Sequence, residues 1–183
     1  MKNPVLTACK SQHYTFAEIM MVVAIFIIIL AMIMTAWMSS GNKVRLNNAA
    51  RLVSAQLNMA RSMAIKERKN IEVVFKGGPD YKMLVKAEDV SENDAPKDNW
   101  IALPGGTVFT TTKPGTSTQT AAWNSGTKVV FTKDGSVESG SIEDFYVAIG
   151  NQTNRKVSAN QPYYTININN FSGRITLQYK EDD

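Results

Sequence analysis

Residues 47–75 read "NNAARLVSAQLNMARSMAIKERKNIEVVF", and the hydrophobic period changes within this stretch. In its first part, apolar residues recur at the spacing of one face of an α-helix. This apolar stripe begins at Leu46, which directly precedes the quoted stretch. Its members are Leu46, Ala49, Ala50, Val53, Leu57, Ala60 and Ala64. After Asn70 the alternation is that of a β-strand, in "IEVVFK". We therefore predict an amphipathic helix that ends near Asn70 and passes directly into a first strand.

An apolar run precedes this helix. Between Ile19 and Trp37 the only polar side chain is Thr35. As a helix, the run would extend roughly 28 Å, about the thickness of the hydrocarbon core of a bilayer. A helix that is apolar on every face is typical of a membrane span and rare in the core of a small domain. The sequence "TAWMSSGNKVR" that follows is a poor signal-peptidase site, so we expect the segment to be retained.

The sequence after Asn70 predicts short antiparallel strands. The candidates are the hairpin "IEVVFK-GGPD-YKMLVKA", then "WIALP", "GTVFTT", a second hairpin "KVVFT-KDG-SVE", and finally "DFYVAIG", "YYTININ" and "GRITLQY". In the last two, one face carries Tyr164, Ile166 and Ile168 and then Ile175, Leu177 and Tyr179. Residues 110–127 are polar and rich in turn formers, which predicts a mobile loop.

These elements predict an α+β fold. A long N-terminal helix, with a transmembrane first half and an amphipathic second half, packs on a C-terminal antiparallel β-sheet or sandwich. The predicted segments are a short N-terminal part at 1–13, a transmembrane helix at 14–41, an amphipathic helix at 42–70 and a β-rich domain at 71–183.

The residue types argue against several chemistries. The only histidine, His13, and the only cysteine, Cys9, precede the apolar run, so we expect no histidine-based triad and no intramolecular disulfide. The sequence has neither paired His or Cys ligands for zinc nor a phosphate-binding glycine pattern. The acidic segment at 87–99 lacks the ligand spacing of an EF-hand, which favours a solvated loop. We predict a protein that is not an enzyme and has no cofactor and no bound metal.

One charged residue stands at the entrance of the apolar run. Glu18 directly precedes Ile19, where the run begins. Placing a charged carboxylate in lipid costs free energy, and a charged residue that is kept at such a place usually has a function. We predict that Glu18 acts in assembly and not in catalysis.

The stretch "YTFAEIMMVVAIFIIILAM", residues 14–32, resembles the N-terminus of type IV pilins and type II secretion pseudopilins. Tyr14, Thr15 and Glu18 match, in order and spacing, the aromatic residue, the threonine and the glutamate at the fifth mature position. The helix-to-strand passage at 47–75 resembles the GspH/FimT branch, as do the shorter "VVFTKDGSVE" and "SGRITL".

The resemblance implies how the N-terminus is processed. Residues 1–13 would be a leader that a prepilin peptidase removes between His13 and Tyr14, after which the new amine of Tyr14 is methylated. Glu18 would then pair with that amine on a neighbouring subunit as the helices bundle. The family's peptidase normally cuts after Gly, and sometimes after Ala, so His13 departs from the pattern. A chain that remains uncut is the alternative.

The resemblance also implies a structural role. The chain would be a minor pseudopilin or pilin, single-pass in the bacterial inner membrane, with its C-terminal domain in the periplasm. Its expected partners are other pilins or pseudopilins through helix bundling, the prepilin peptidase and membrane lipid, with secreted cargo as a further candidate. Whether it serves a secretion pseudopilus or another type IV filament stays open.

Two other functions remain as alternatives. A FimT-like minor pilin would bind DNA in natural transformation through basic C-terminal residues, here Arg174 and Lys180. Thr176 stands where a further Arg is expected, and the acidic end "EDD" opposes DNA, so we do not expect nucleic acid as a partner. The third reading is a membrane-anchored β domain that does not assemble, in which Glu18 is an interfacial carboxylate without a partner.

Overall fold

The computed structural model describes residues 15–181, apart from 79, 94–98, 116, 121–122 and 124–126, and does not describe the side chains of 34–40 and 119–120. The predicted leader, His13 and Tyr14 therefore lie outside the described residues. The chain forms two compact units, Met1–Ser40 and Gly41–Asp183.

In the first unit the described residues are helical from Phe16 onward. Helix α1 has the bounds Phe16–Glu67, and its first part belongs to this unit. The window Phe16–Ile33 has a mean hydropathy of 2.9 and none of it is buried. By length and composition, this window can cross a membrane, as the sequence predicts.

In the second unit α1 buries the stripe that the periodicity predicts. Leu46, Ala49, Ala50, Val53, Leu57, Ala60 and Ala64 are all 0% exposed. Arg45, Arg51 and Lys66 lie on the exposed face. The helix ends at Glu67, and Arg68 has a left-handed φ of 53°, the conformation that commonly follows a helix C-terminus.

The strands form two antiparallel sheets. The first sheet contains β1 (Ile71–Lys76), β2 (Lys82–Ala87), β3 (Ile101–Ala102) and β6 (Lys128–Phe131), in the order β3-β2-β1-β6. The second sheet contains β4 (Thr107–Thr110), β5 (Gln119–Thr120), β7 (Asp144–Asn151), β8 (Lys156–Val157), β9 (Tyr163–Ile168) and β10 (Ile175–Lys180). Its order is β10-β9-β7-β8-β5, and β4 also pairs with β7.

The first predicted hairpin is observed. Strands β1 and β2 pair antiparallel from Ile71 opposite Ala87 to Lys76 opposite Lys82. In the pair β9 and β10, Ile166 lies opposite Leu177, so their predicted apolar faces coincide. The second predicted hairpin is shorter than expected, because after the Lys-Asp-Gly turn only Val137 forms a bridge, to Phe131.

The segment at 110–127 differs from its prediction as a mobile loop. It contains β5, which pairs with β8, and Trp123, whose side chain is only 6% exposed. The indole nitrogen of Trp123 donates to the carbonyl oxygen of Phe75 at 3.5 Å. A single large aromatic side chain anchors this polar segment, because its burial outweighs the polar character of its neighbours.

The core lies where the two sheets and the helix stripe meet. Phe75 on β1 contacts Phe109 on β4, Trp123 and Phe145 on β7, with ring centroids 5.2, 5.4 and 5.3 Å apart. All three contacts are edge-to-face, an arrangement that aromatic pairs favour. The helix stripe belongs to the same buried cluster, so one core joins all three layers.

A buried carboxylate lies on the other face of the first sheet. Glu72 accepts hydrogen bonds from the amines of Lys86 at 2.5 Å and Lys128 at 3.0 Å, and its side chain is 8% exposed. Burial raises the pKa of Glu72, but the hydrogen bonds from Lys86 and Lys128 lower it, and the net direction is down. A carboxylate with a depressed pKa stabilises the fold above its ordinary pKa, and this contribution is lost as the pH falls through the lowered value.

Two glycines meet beside the helix. Gly173 has a φ of 60°, and a methyl group on its Cα would lie 2.0 Å from the carbonyl oxygen of Gly135 and 3.1 Å from Nε of Arg61. Nε of Arg61 also donates to the carbonyl oxygen of Gly135 at 3.3 Å. The two short motifs "KDGS" and "SGRIT" are therefore in contact with each other and with α1, and only glycine fits at residue 173.

Replacing Glu72 should destabilise the fold in a pH-dependent way. We expect Glu72→Gln to lower the free energy of unfolding by roughly 1–3 kcal/mol at neutral pH, because two charge-assisted hydrogen bonds are weakened. The difference from the native chain should shrink as the pH falls below about 4. Urea unfolding of the full chain in detergent, followed by tryptophan fluorescence, measures this. Glu92→Gln, at an exposed carboxylate, is the control, and a pH-independent effect at residue 72 contradicts the assignment.

Adding one methyl group at Gly173 should be far more damaging than at another left-handed glycine. We expect Gly173→Ala to lower the free energy of unfolding by roughly 3 kcal/mol or more, because backbone conformation and backbone contact both oppose it. Gly140 has a φ of 94° with no atom within 4 Å of an added methyl group. Gly140→Ala should therefore cost only about 1–2 kcal/mol. Equal losses in the same unfolding assay contradict the close contact of Gly173 with Gly135.

Candidate assembly site and surfaces of the globular unit

The N-terminal end of α1 is capped by Thr15. The backbone N–H of Glu18 donates to the carbonyl oxygen of Thr15 at 3.1 Å and to its Oγ1 at 3.3 Å. Threonine at the cap with glutamate three residues later is the capping-box pattern. The T-x-x-E spacing of this pattern is visible in the sequence beside the family resemblance, and it gives Glu18 a local structural role as well.

The Glu18 side chain is exposed on the first turn of a helix whose following residues are apolar. The positive end of the helix dipole favours an anion at this place. Among the described residues, no lysine or arginine forms an ion pair with Glu18. Chemically, the carboxylate is a hydrogen-bond acceptor that an ammonium group from another chain can approach, and the role of Glu18 in assembly stays a prediction.

The two basic C-terminal residues are not brought together. Arg174 precedes β10 and Lys180 is its last residue, so roughly 20 Å of strand separate them. Glu181, which follows Lys180, forms an exposed ion pair of 2.6 Å with Lys43 on α1. Hydrogen bonding to Lys43 lowers the pKa of Glu181. Arg174 and Lys180 therefore do not form a compact cationic cluster, and their contact with DNA stays a prediction.

The clefts of the second unit include one of about 440 Å³, which is lined by polar residues, namely Lys69, Asn70, Glu88 and Asp89. A mainly apolar groove of about 390 Å³ is lined by Gln56, Met59, Met63, Val85, Asn99 and Ile101. A third cleft of about 290 Å³ lies beside Trp100, whose ring also contacts the amines of Lys76 and Lys82. In the described part of the chain, no cluster of His, Cys, Asp and Glu could hold a metal ion.

Comparison with known proteins identifies the family. A model of the family described as "Type II transport protein GspH" matches residues 49–170. The chain belongs to the GspH family. The matched residues contain the amphipathic part of α1 from Ala49 and nine of the ten strands. The resemblance to the GspH branch is thereby confirmed.

Solved structures and curated proteins were also compared with the chain. Two crystal forms of the type IV minor pilin FimU from Pseudomonas aeruginosa are similar to it, at 20% and 18% identity. The matches cover 74% and 73% of this chain and 90% and 92% of those chains, each with a TM-score of 0.48. The comparison with curated proteins found no match.

Membership of the GspH family establishes the class of function. The chain is a minor pseudopilin or pilin with a structural role, a membrane-anchored subunit that assembles with other pilins in a filament. The match begins after the apolar helix and ends before β10, so Glu18, Arg174 and Lys180 lie outside it. The roles of these three residues therefore stay predictions.

The GspH-family domain displays one residue that sequence reasoning missed. Phe171, in the turn between β9 and β10, is 95% exposed. A single aromatic residue between Asn170 and Ser172 has no periodic neighbour, so no pattern in the sequence marks it. Its only sequence signal is its type, since phenylalanine in a short polar turn cannot bury its ring against that turn.

Proposed function

We propose that this GspH-family chain is a minor pseudopilin of a type II secretion pseudopilus or a related type IV filament, and that Glu18 directs its entry into the filament. The apolar part of α1 would hold it in the bacterial inner membrane as a single span, with the globular unit in the periplasm. The observation that carries the proposal is a capped carboxylate at the start of an exposed apolar helix, in a chain of this family.

The proposed partner of Glu18 is the amine of Tyr14 on a neighbouring subunit. A prepilin peptidase would hydrolyse the amide bond between His13 and Tyr14, which leaves a new ammonium group at Tyr14. Each charge alone is costly in lipid, and the pair is tolerated when the two meet. Since the two groups are four residues apart along one chain, pairing between chains selects a stagger of neighbouring helices.

The exposed apolar faces of α1 support the rest of the proposal. Ile19, Met20, Val22, Ile25 and Phe26 are all at least half exposed, which suits contact with lipid before assembly and with other helices afterwards. Close packing and the ion pair then act together in the filament. Secreted cargo would contact the globular unit.

Substitutions at Glu18 and Thr15 distinguish the effect of the Glu18 charge on assembly from the effect of helix capping. Glu18→Gln keeps an amide that suits a capping box but removes the charge, while Thr15→Ala removes the cap and leaves the charge. We expect the Glu18→Gln and Glu18→Ala variants to insert into the membrane normally. Their amount in the sheared filament fraction should fall about tenfold or more, because the loss of a buried ion pair costs more than about 1.4 kcal/mol. Thr15→Ala should assemble almost normally. Immunoblots of membrane and filament fractions measure both steps.

Two results in that assay count against the proposal. Incorporation of Glu18→Gln at the native level would leave Glu18 with a capping role only. Native incorporation of both Glu18 variants would favour a role for the helix without any ion pair.

The N-terminus of the chain in its native membrane tests the pairing partner. We expect intact-mass and N-terminal analysis to find a start at methylated Tyr14, because the pair needs that amine. His13→Gly restores the family's usual residue before the cleavage point and should increase the processed fraction. A native chain that starts at Met1 contradicts the pairing of Glu18 with Tyr14.

A further inference from the structure

Two lysines lie side by side on the first sheet without a paired carboxylate. Lys76 on β1 is directly opposite Lys82 on β2 in the antiparallel register. Like charges in this position destabilise a sheet. Elsewhere on the same sheet face, Lys86 and Lys128 share the carboxylate of Glu72. Lys76 and Lys82, in contrast, form no ion pair with any described residue.

The ring of Trp100 keeps both lysines beside a cleft. Its centroid lies 5.8 Å from Nζ of Lys76 and 5.4 Å from Nζ of Lys82. The negative face of an indole ring attracts cations at such distances. Lys82 and Trp100 line the cleft of about 290 Å³ described above, which is named the Trp100 cleft from here on. The ring is neutral, so it positions the two ammonium groups but does not neutralise them.

The second sheet adds a third cation to this region. Arg155, which lies between β7 and β8, places Nη2 of its guanidinium 3.9 Å from the position of a methyl group on Gly78, in the β1–β2 turn. Arg155 also forms no ion pair with any described residue. Asp80 is the one carboxylate among the described residues that line the cleft. The two lysines and Arg155, three positive charges against the one negative charge of Asp80, give a net charge of +2.

The side chains around the Trp100 cleft suit carboxylates better than phosphates. A lysine ammonium group is a compact point charge that suits a single carboxylate oxygen. Phosphate sites usually add arginine forks or the backbone N–H groups of a helix N-terminus. The two cations that contact the Trp100 ring are lysines, and none of the described lining residues belongs to α1. Ala102 and Leu103 add apolar surface to the cleft, which suits the aliphatic parts of a peptide. The lining therefore matches an acidic peptide segment with at least two carboxylates.

We propose that the Trp100 cleft binds an acidic segment of a different pilin subunit, whose carboxylates lie between the ammonium groups of Lys76 and Lys82. The chain is a minor subunit, so most of its neighbours in a filament are other pilins. Trp100 would be the centre of the contact, because tryptophan is enriched among the residues that contribute most to binding between proteins. The contact goes beyond the proposed function, because it lies in the globular unit and needs neither Glu18 nor cleavage at His13.

Photo-crosslinking in native membranes and filaments tests the occupant. Ala102, which is exposed and lines the cleft, is replaced by the photoreactive residue p-benzoylphenylalanine in the full chain. After irradiation, mass spectrometry identifies the crosslinked segment. We expect a segment of another pilin subunit, with at least two Asp or Glu residues close to the crosslinked position. The same replacement at Ala55, on the exposed face of α1, is the control and should not give that adduct.

Charge variants show whether the lysines hold the segment. Adding Lys76→Gln and Lys82→Gln together should lower the yield of the adduct about tenfold, because both ion pairs are lost. The matched control is the pair Lys66→Gln and Lys133→Gln, which removes the same charge from exposed sites elsewhere and should leave the yield unchanged. Lys82→Glu should abolish the adduct, and replacing the identified partner carboxylate by lysine should restore it.

Unfolding distinguishes this role from a purely structural one. Lys76→Gln and Lys82→Gln should leave the urea midpoint of the full chain in detergent unchanged, because the relief of like-charge repulsion offsets the lost contacts with the Trp100 ring. A lowered midpoint together with a lost adduct would assign the lysines a structural role and overturn the proposal.

Other outcomes also overturn the proposal. An adduct with a segment that lacks acidic residues, with lipid or with nucleic acid gives the cleft a different occupant, and so does an adduct with a second copy of this chain. The absence of any adduct from residue 102 in both fractions removes the contact. Native incorporation of the Glu18 variants contradicts the pairing of Glu18 but leaves the contact at the Trp100 cleft standing, so the two proposals fail separately.

Discussion

The burial of one narrow stripe of α1 against the aromatic cluster around Phe75 is the constraint on which the rest of the globular unit depends. Four of the seven stripe residues are alanines, and all seven are fully buried. Phe75 then reaches across to Phe109 and Phe145 of the second sheet. Because the helix and the sheets share this single core, the core fixes which residues of the unit face the solvent, including those on the two flanks of α1.

Periodicity was sufficient for a large part of the fold. The helix stripe, the pairing of β1 with β2 and the common face of β9 and β10 follow from spacing alone, because burial repeats with the geometry of each element. The place of β6 beside β1 does not, since the two are far apart in sequence and no local signal joins them. The anchoring of Trp123 was hidden for the same reason, because its contacts are all distant in sequence.

The sequence marks the two candidate residues, Glu18 and Phe171, with unequal clarity. Glu18 stands out in sequence because a charge beside an apolar run contradicts its surroundings. Phe171 does not, because only the structure shows that its ring has nothing to pack against.

The strand order has a consequence for the newly made chain. Strands β1 and β2 can pair as soon as both have left the ribosome. The other edge of β1 pairs with β6, so Ile71 has no strand partner on that side until Phe131 has been synthesised. Until then, the hairpin presents unpaired backbone groups next to apolar side chains, which is the kind of edge that attracts strands of other chains. The intervening segment is largely polar, and that composition lowers its tendency to occupy the open edge before β6 arrives.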